Sequence, residues 1–225
     1  MIRVKGLVAP VRLVSAEQGS FHCLQASMMM AVRSLSGQEL EWSEAERLTG
    51  YVAGRDTWPY AMYLSLVDMG IHVHSIEIVD PAAMARDVGS EIRRVFADPD
   101  IAEAIISETD CEAERNRAQK CVESKLISFE VRSPVVADVV EGIKSGHLPL
   151  VSLDYGLIHQ TGMYEGHMVV ASGVSDLGVE LYDPGPPGES ALVVSLEKLD
   201  AAIHSPMPDG GAVALLSRVA PDGET

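Results

Sequence analysis

Positive charge is what this sequence has least of. Its 225 residues carry 17 Lys and Arg against 33 Asp and Glu, a formal net charge of −16. So acidic a surface repels phosphate, which argues against a nucleic-acid or anionic-membrane partner; the charge reads as solubility. Cysteine is also scarce, and odd in number. Cys23, Cys111 and Cys121 offer neither a disulfide framework nor paired CxxC zinc knuckles. That suits a reducing, cytoplasmic setting. No run approaches the ~18 apolar residues of a membrane span. The opening segment MIRVKGLVAPVRLVSAEQGS has no adequate apolar core and no small-residue cleavage site, so it reads as part of the fold and not as a signal peptide. Repeats, low-complexity tracts, nucleic-acid motifs and a specific glycine-rich phosphate loop are all missing.

What is present suffices for a sizeable core. Hydrophobic residues make up 47% and charged ones 22%, which excludes wholesale disorder. At about 150 residues per domain, the length fits one large domain. A strand is expected over Met1 to about Val14. Cys23–Leu35, CLQASMMMAVRSL, is apolar nearly all round and predicts a helix buried on most sides, ended by Gly37. Ser43 with Glu46 has the form of a capping box for a short helix that stops at Gly50. Thr57 and Pro59 open a third helix, closed by Gly70. A strand is expected over Ile71–Val79, one helical stretch from Asp80-Pro81 to about Ala97, and a solvent-facing helix from Asp100 to about Lys125. Ser133-Pro134 opens an amphipathic helix stopped at Gly146. LPLVSLD, GHMVVASGV, VELYD and AVALLSRV then read as strands. Helices first and strands later argue for an α+β fold with an antiparallel sheet. The preferred organisation is a single domain over 1–225, with a helical lobe at about 15–130 and a sheet lobe at about 131–220 that includes the N-terminal strand.

Cys23 is the most informative residue. It stands where the buried helix should begin, and the positive end of the helix dipole favours a thiolate there. A thiolate needs a base, and the base needs a group to orient it. His167 opens the strand GHMVVASGV, and Asp183 ends the next strand sixteen residues later. A hairpin between them would bring the two strand ends together. Side chains alternate along a strand, so the loop length decides whether they share a face. A two-residue loop at Asp176-Leu177 would turn Asp183 away from His167, so an odd-length loop or a bulge near Asp183 is expected. Gln18, five residues before Cys23, has a side-chain amide suited to holding an oxyanion.

In these pieces the sequence resembles papain-like cysteine peptidases, more closely the bacteriocin-processing (double-glycine leader) peptidase-like group. The matching segments are EQGSFHCLQASMMMAV, SPVVADVVEGIKSGHLPLVSLD, GHMVVASGV and VELYDPG. The resemblance implies a Cys helix packed on a sheet that carries the His. It implies Cys23 as nucleophile, His167 as base, Asp183 as orienter and Gln18 as oxyanion donor. Leu24 stands where that family usually has glycine, and the segment from about Ala97 to Lys125 has no counterpart in it.

The expectation is therefore a papain-like thiol hydrolase of an amide or peptide bond, working through a Cys-His-Asp triad and an acyl-enzyme. Its partner would be a small amide, an acyl donor or a peptide. Leu24 beside the nucleophile, with the extra segment as a roof over the cleft, would favour small donors over long peptides. Rival readings are an acyl or aminoacyl transferase using the same thioester, and a binding protein that keeps the fold without the chemistry. No cofactor is implied. His72 and His74 share one strand face, but a zinc site would need a third ligand such as His22 or a carboxylate, and no recognisable spacing supplies one, so no metal is expected. Met28, Met29 and Met30 read as core. Cys111 and Cys121, ten residues apart on a presumed helix, are too far apart to bond.

Overall fold

The computed structural model describes residues 1–16, 22–55, 57–205 and 211–218. The fold is mixed α+β. The first half supplies β1 (Ile2–Arg3), α1 (Cys23–Ser36), α2 (Trp42–Thr49), α3 (Tyr60–Asp68), β2 (Ile71–Glu77), α4 (Pro81–Met84), α5 (Val88–Val95), α6 (Pro99–Glu108) and α7 (Cys111–Glu123). The second supplies β3 (Ile127–Val131), α8 (Val136–Lys144), β4 (Leu148–Asp154), α9 (Tyr155–His159), β5 (Gly166–Ser175), β6 (Gly178–Asp183), β7 (Glu189–Val194), α10 (Leu196–His204) and β8 (Ala212–Arg218).

Among the described residues, eight strands form one sheet in the order β3-β2-β8-β4-β5-β6-β7, with β1 added against β5. Every pairing is antiparallel except β2 with β3, which is parallel. The sheet therefore takes strands from both halves of the chain. Helix α1 packs on β5 and β8 and carries α2 on its outer side; α8 and α10 pack on β4. Because it is covered on several sides, α1 buries Leu24, Met28, Met30, Ala31 and Leu35 almost fully, while Met29 is only partly covered. Gly37 ends the helix in the left-handed conformation at φ 78°, which glycine adopts without a side-chain penalty.

Several expected elements differ, each for a local reason. The N-terminal strand is confined to Ile2–Arg3, because only these residues find a ladder partner, on β5. The Ser43–Glu46 capping box does not form. Helix α2 begins two residues earlier, at Trp42 after Glu41, and the Glu46 carboxylate instead meets His22 at 3.0 Å. The stretch expected as one helix from Pro81 to Ala97 breaks at Asp87, whose side chain caps α5 by accepting from the Ser90 amide. The stretch expected as one helix from Asp100 to Lys125 breaks at Asp110, which caps α7 through the Ala113 amide, while Asp98 caps α6. Both breaks follow the preference of aspartate for the N-cap over the helix interior. Nor is this segment wholly solvent-facing: Ala102, Ala118 and Cys121 belong to the core.

Candidate active site

Cys23 is the first residue of α1. His22 precedes it as N-cap, and its carbonyl accepts from the Ala26 amide at 2.9 Å, leaving the amides of the first turn without helical partners. One turn on, Ser27 donates to the Met168 carbonyl at 3.1 Å and fastens α1 to β5 beside His167. Cys23 is thereby brought beside His167 and the backbone of Met168, where both act on the thiol. His22 points elsewhere, to Glu46 and the Tyr51 ring.

His167 is buried on β5. Its Nε2 lies 2.7 Å from Asp183 Oδ1, so Nδ1 is the nitrogen that faces Cys23. The shared face is produced by a bulge. A two-residue turn, Asp176-Leu177, pairs Ser175 with Gly178, and an unbroken ladder from there would set Val170 opposite Asp183. At Ser172 β5 gains a residue. Ala171 then pairs with Leu181 and Val170 with Tyr182, which carries Asp183 to the level of Val169, on the His167 face. The extra residue thus sits in β5, away from Asp183, and a second register shift at β6–β7 does not affect this face. The bulge is braced from both sides. Ser172 Oγ donates to Glu180 at 2.8 Å, Arg3 binds both Glu180 oxygens at 2.6 and 3.0 Å, and the Val4 amide donates to the Ser172 carbonyl at 3.1 Å.

Asp183 holds more than one histidine. Oδ1 accepts from the Gly185 amide at 2.8 Å as well as meeting His167, and Oδ2 lies 2.7 Å from His159 Nε2. Tyr155 stacks on His159 with ring centroids 4.1 Å apart and sets its edge near His167 at 5.0 Å. Neither Tyr155 nor His159 stands out in the sequence. Both lie on α9, a five-residue helix between strands, and the only local sign of it is Asp154, which caps it through the Gly156 amide.

The electrostatics follow from these contacts. Burial pushes the Cys23 thiol up, but the His167 hydrogen bond and charge, with the two backbone amides, bring it below its ordinary value. Burial works against the His167 imidazolium, yet Asp183 and the Cys23 thiolate raise its pKa to about 9. Asp183 is held below the usual carboxylate range, against burial, by His167, His159 and Gly185. Cys23 and His167 are thus suited to exist as a thiolate–imidazolium pair near neutral pH. All three cysteines are free thiols. Cys121 behaves oppositely to Cys23: burial and nearby carboxylates push it up to about 12.

Cys23 and His167 open onto a cleft of about 250 Å³, whose walls include Leu24, Trp58, Tyr63, Glu77 and Phe96. The expected roof from residues 97–125 is not there: none of the described lining residues comes from that segment. It stands behind the wall instead, where Thr109 Oγ1 accepts from Trp58 Nε1 at 3.0 Å. Gln18 lies outside the described residues. Among the described residues no group of His, Cys, Asp or Glu is arranged to hold a metal ion, and no helix is long and apolar enough to cross a membrane.

No protein-family model and no curated protein matches the chain. Among solved structures, it is similar to the peptidase domain of Streptococcus ComA, a bifunctional ABC transporter involved in quorum sensing. The TM-score is 0.48 at 10% identity, covering 93% of this chain and 99% of that one. It is also similar to a double glycine motif protease from an AMS/PCAT transporter, solved with a leader peptide. There the TM-score is 0.47 at 8% identity, covering 97% of this chain and 99% of the other.

Proposed function

We propose that the chain is a papain-like thiol hydrolase that cleaves an amide or peptide bond through a thioester on Cys23. One arrangement carries the reading: a thiol at the start of a buried helix, hydrogen-bonded to an imidazole whose far nitrogen is fixed by a buried carboxylate. The Cys23 thiolate attacks the carbonyl carbon. The oxyanion is held by the Cys23 amide at the helix N-terminus and by the Gln18 side chain. The His167 imidazolium gives its Nδ1 proton to the leaving amine, and the C–N bond breaks to leave the thioester. Neutral His167 then takes a proton from water, hydroxide adds to the thioester, and the thiolate departs. Asp183 keeps the Nε2 proton in place throughout and stabilises the imidazolium.

The small cleft and the bulk of Leu24 beside the nucleophile support small donors over long peptides. Three unpaired thiols support a reducing, cytoplasmic setting.

The test is intact-mass analysis of the protein against a panel of small amides, acyl donors and peptides. An acyl adduct on Cys23, lost in Cys23→Ala, is expected. No adduct with any donor, combined with Cys23 alkylation no faster than that of Cys111, overturns the reading. Acyl transfer to added amines at modest concentration would instead identify a transferase.

A further inference from the structure

Glu77 is the one acidic side chain that the described lining of the cleft contains, and the triad makes no use of it. It ends β2, is 4% exposed, and is among the residues that line the space onto which Cys23 opens. Its carboxylate accepts one hydrogen bond, from Ser75 Oγ at 2.8 Å, and that hydroxyl is itself shared with Tyr63 at 3.1 Å. Glu77 is in no ion pair among the described residues. The side chains that feel its charge, Tyr60, Tyr63 and Cys121, are acids and not cations. Arg132 touches only its backbone carbonyl, and the guanidinium is taken by Glu130 and Asp138. A carboxylate can accept about four hydrogen bonds, so most of its capacity has no partner among the described residues. Burying such a group is unfavourable, and among the described residues the Ser75 hydroxyl is its one hydrogen-bond donor.

Two further features indicate what completes it. Trp58, Tyr63 and Phe96 line the same cleft, and aromatic faces attract cations. The chain carries a net charge of −16, which raises the local concentration of cations and lowers that of anions. We infer that Glu77 is the specificity group of this cleft, a buried carboxylate that takes the ammonium or guanidinium of a small cationic acyl donor whose carbonyl lies at Cys23. This rests on the thiol-hydrolase reading and adds the substrate class to it. Burial pushes the Glu77 pKa up to about 7, so an arriving cation would fix the anion in a site otherwise poised between acid and base.

The probes are Nα-acetyl-lysyl and Nα-acetyl-norleucyl chloromethyl ketones, which differ by one ammonium group. In each, the Cys23 thiolate displaces chloride and forms a thioether, so no acyl transfer is needed. The lysyl reagent should inactivate the whole chain about tenfold faster at low concentration, the equivalent of one modest charge pair. Glu77→Gln should collapse that ratio to within about twofold of unity, and so should Glu77→Met, which is apolar and of similar volume. Equal rates on the unaltered protein overturn the inference, as does a preference that survives both substitutions. Faster reaction of the norleucyl reagent also overturns it and makes Glu77 a neutral acid in an apolar pocket. If Cys23 alkylates with the lysyl preference but no donor is ever turned over, the hydrolase reading fails and the cation site stands. If neither reagent modifies Cys23 while both modify free cysteine, both fall.

Discussion

Asp183 and Glu77 are both buried carboxylates, and they differ in almost everything except burial. Asp183 is 1% exposed and Glu77 is 4% exposed. Asp183 meets two imidazoles and a backbone amide, and its pKa falls. Glu77 meets one shared hydroxyl, and its pKa rises to about 7. Burial alone therefore does not set the state of a carboxyl; the number and charge of its partners do. Asp183 is finished by the fold, which makes it suited to hold something still. Glu77 is left unfinished, which makes it suited to receive something.

The largest effect should come from breaking the finished acid. Asp183→Ala strands two imidazoles at once and frees His167 to rotate. The rate of acylation of Cys23 should drop by about a hundredfold. The pH dependence carries a second signature. Activity requires the thiolate below and the imidazolium above, so the unaltered protein should lose activity toward alkaline pH near about 9, where His167 gives up its proton. Asp183→Ala removes the main group raising that pKa, so the alkaline limb should move down. An unmoved limb would show that Asp183 does not act through His167.

The unfinished acid should show itself in stability. Raised from 4.5 to about 7 in the folded state, Glu77 favours folding below its ordinary pKa and loses that contribution as pH rises through about 7. Glutamine does not titrate. Glu77→Gln should therefore gain stability relative to the parent between pH 5 and pH 8, by up to about 3 kcal/mol. Asp183, whose pKa is lowered, runs the other way: its contribution is present above its ordinary value and fades as pH falls. Urea unfolding at pH 5 and pH 8 checks Glu77, and at pH 5 and about pH 3 it checks Asp183; a Glu77→Gln difference that does not change between pH 5 and pH 8 would erase the distinction.

The two acids also differ in how far the sequence discloses them. Asp183 is legible because it ends a strand sixteen residues after His167, and a hairpin makes that spacing meaningful. Its face is less legible, because it depends on a bulge at Ser172 whose one local mark is the neighbouring Gly173 inside the strand. Cys23 is legible from the apolar helix that begins at it. Glu77 is not, because IHVHSIEIV reads as an ordinary strand, and only the tertiary fold turns its end into a cleft wall. The break between α6 and α7 is masked for a simpler reason: Asp110, which caps α7, lies in a run rich in helix formers. Helices α9 and α10 are short elements between strands, stabilised by Asp154 and Ser195 caps and by packing on each other, with little periodicity of their own.

A smaller effect should follow from loosening the bulge that delivers Asp183. Glu180 binds Ser172 and Arg3 together, so Glu180→Ala removes both braces without touching the cleft. If the bulge relaxes, Asp183 turns toward the opposite face. Acylation should fall by about tenfold, as expected for misplacement of an orienting group. The alkaline limb should move down as in Asp183→Ala, which a mere loss of stability would not produce. Arg3→Ala should be milder, because Arg3 is largely exposed and Ser172 keeps its own bond to Glu180.

The smallest effect belongs to His159, and it tests whether Asp183 needs both of its histidines. His159 takes Oδ2, and His167 takes Oδ1, so the two do not compete for one oxygen. Removing His159 leaves the His167 contact and the Gly185 amide intact, and Asp183 keeps two of its three partners. What it loses is a lock on carboxyl rotation, together with the ring stacked on Tyr155. His159→Gln offers an amide of similar reach that can still donate to Oδ2, whereas His159→Ala offers nothing. The alanine variant should be about three- to fivefold slower in acylation, with the glutamine variant near the parent, in line with one neutral hydrogen bond. If instead both variants lose as much as Asp183→Ala, His159 is part of the proton path and not a brace, and Asp183 serves two bases and not one. Acylation rates of both variants set against that of Asp183→Ala separate these outcomes.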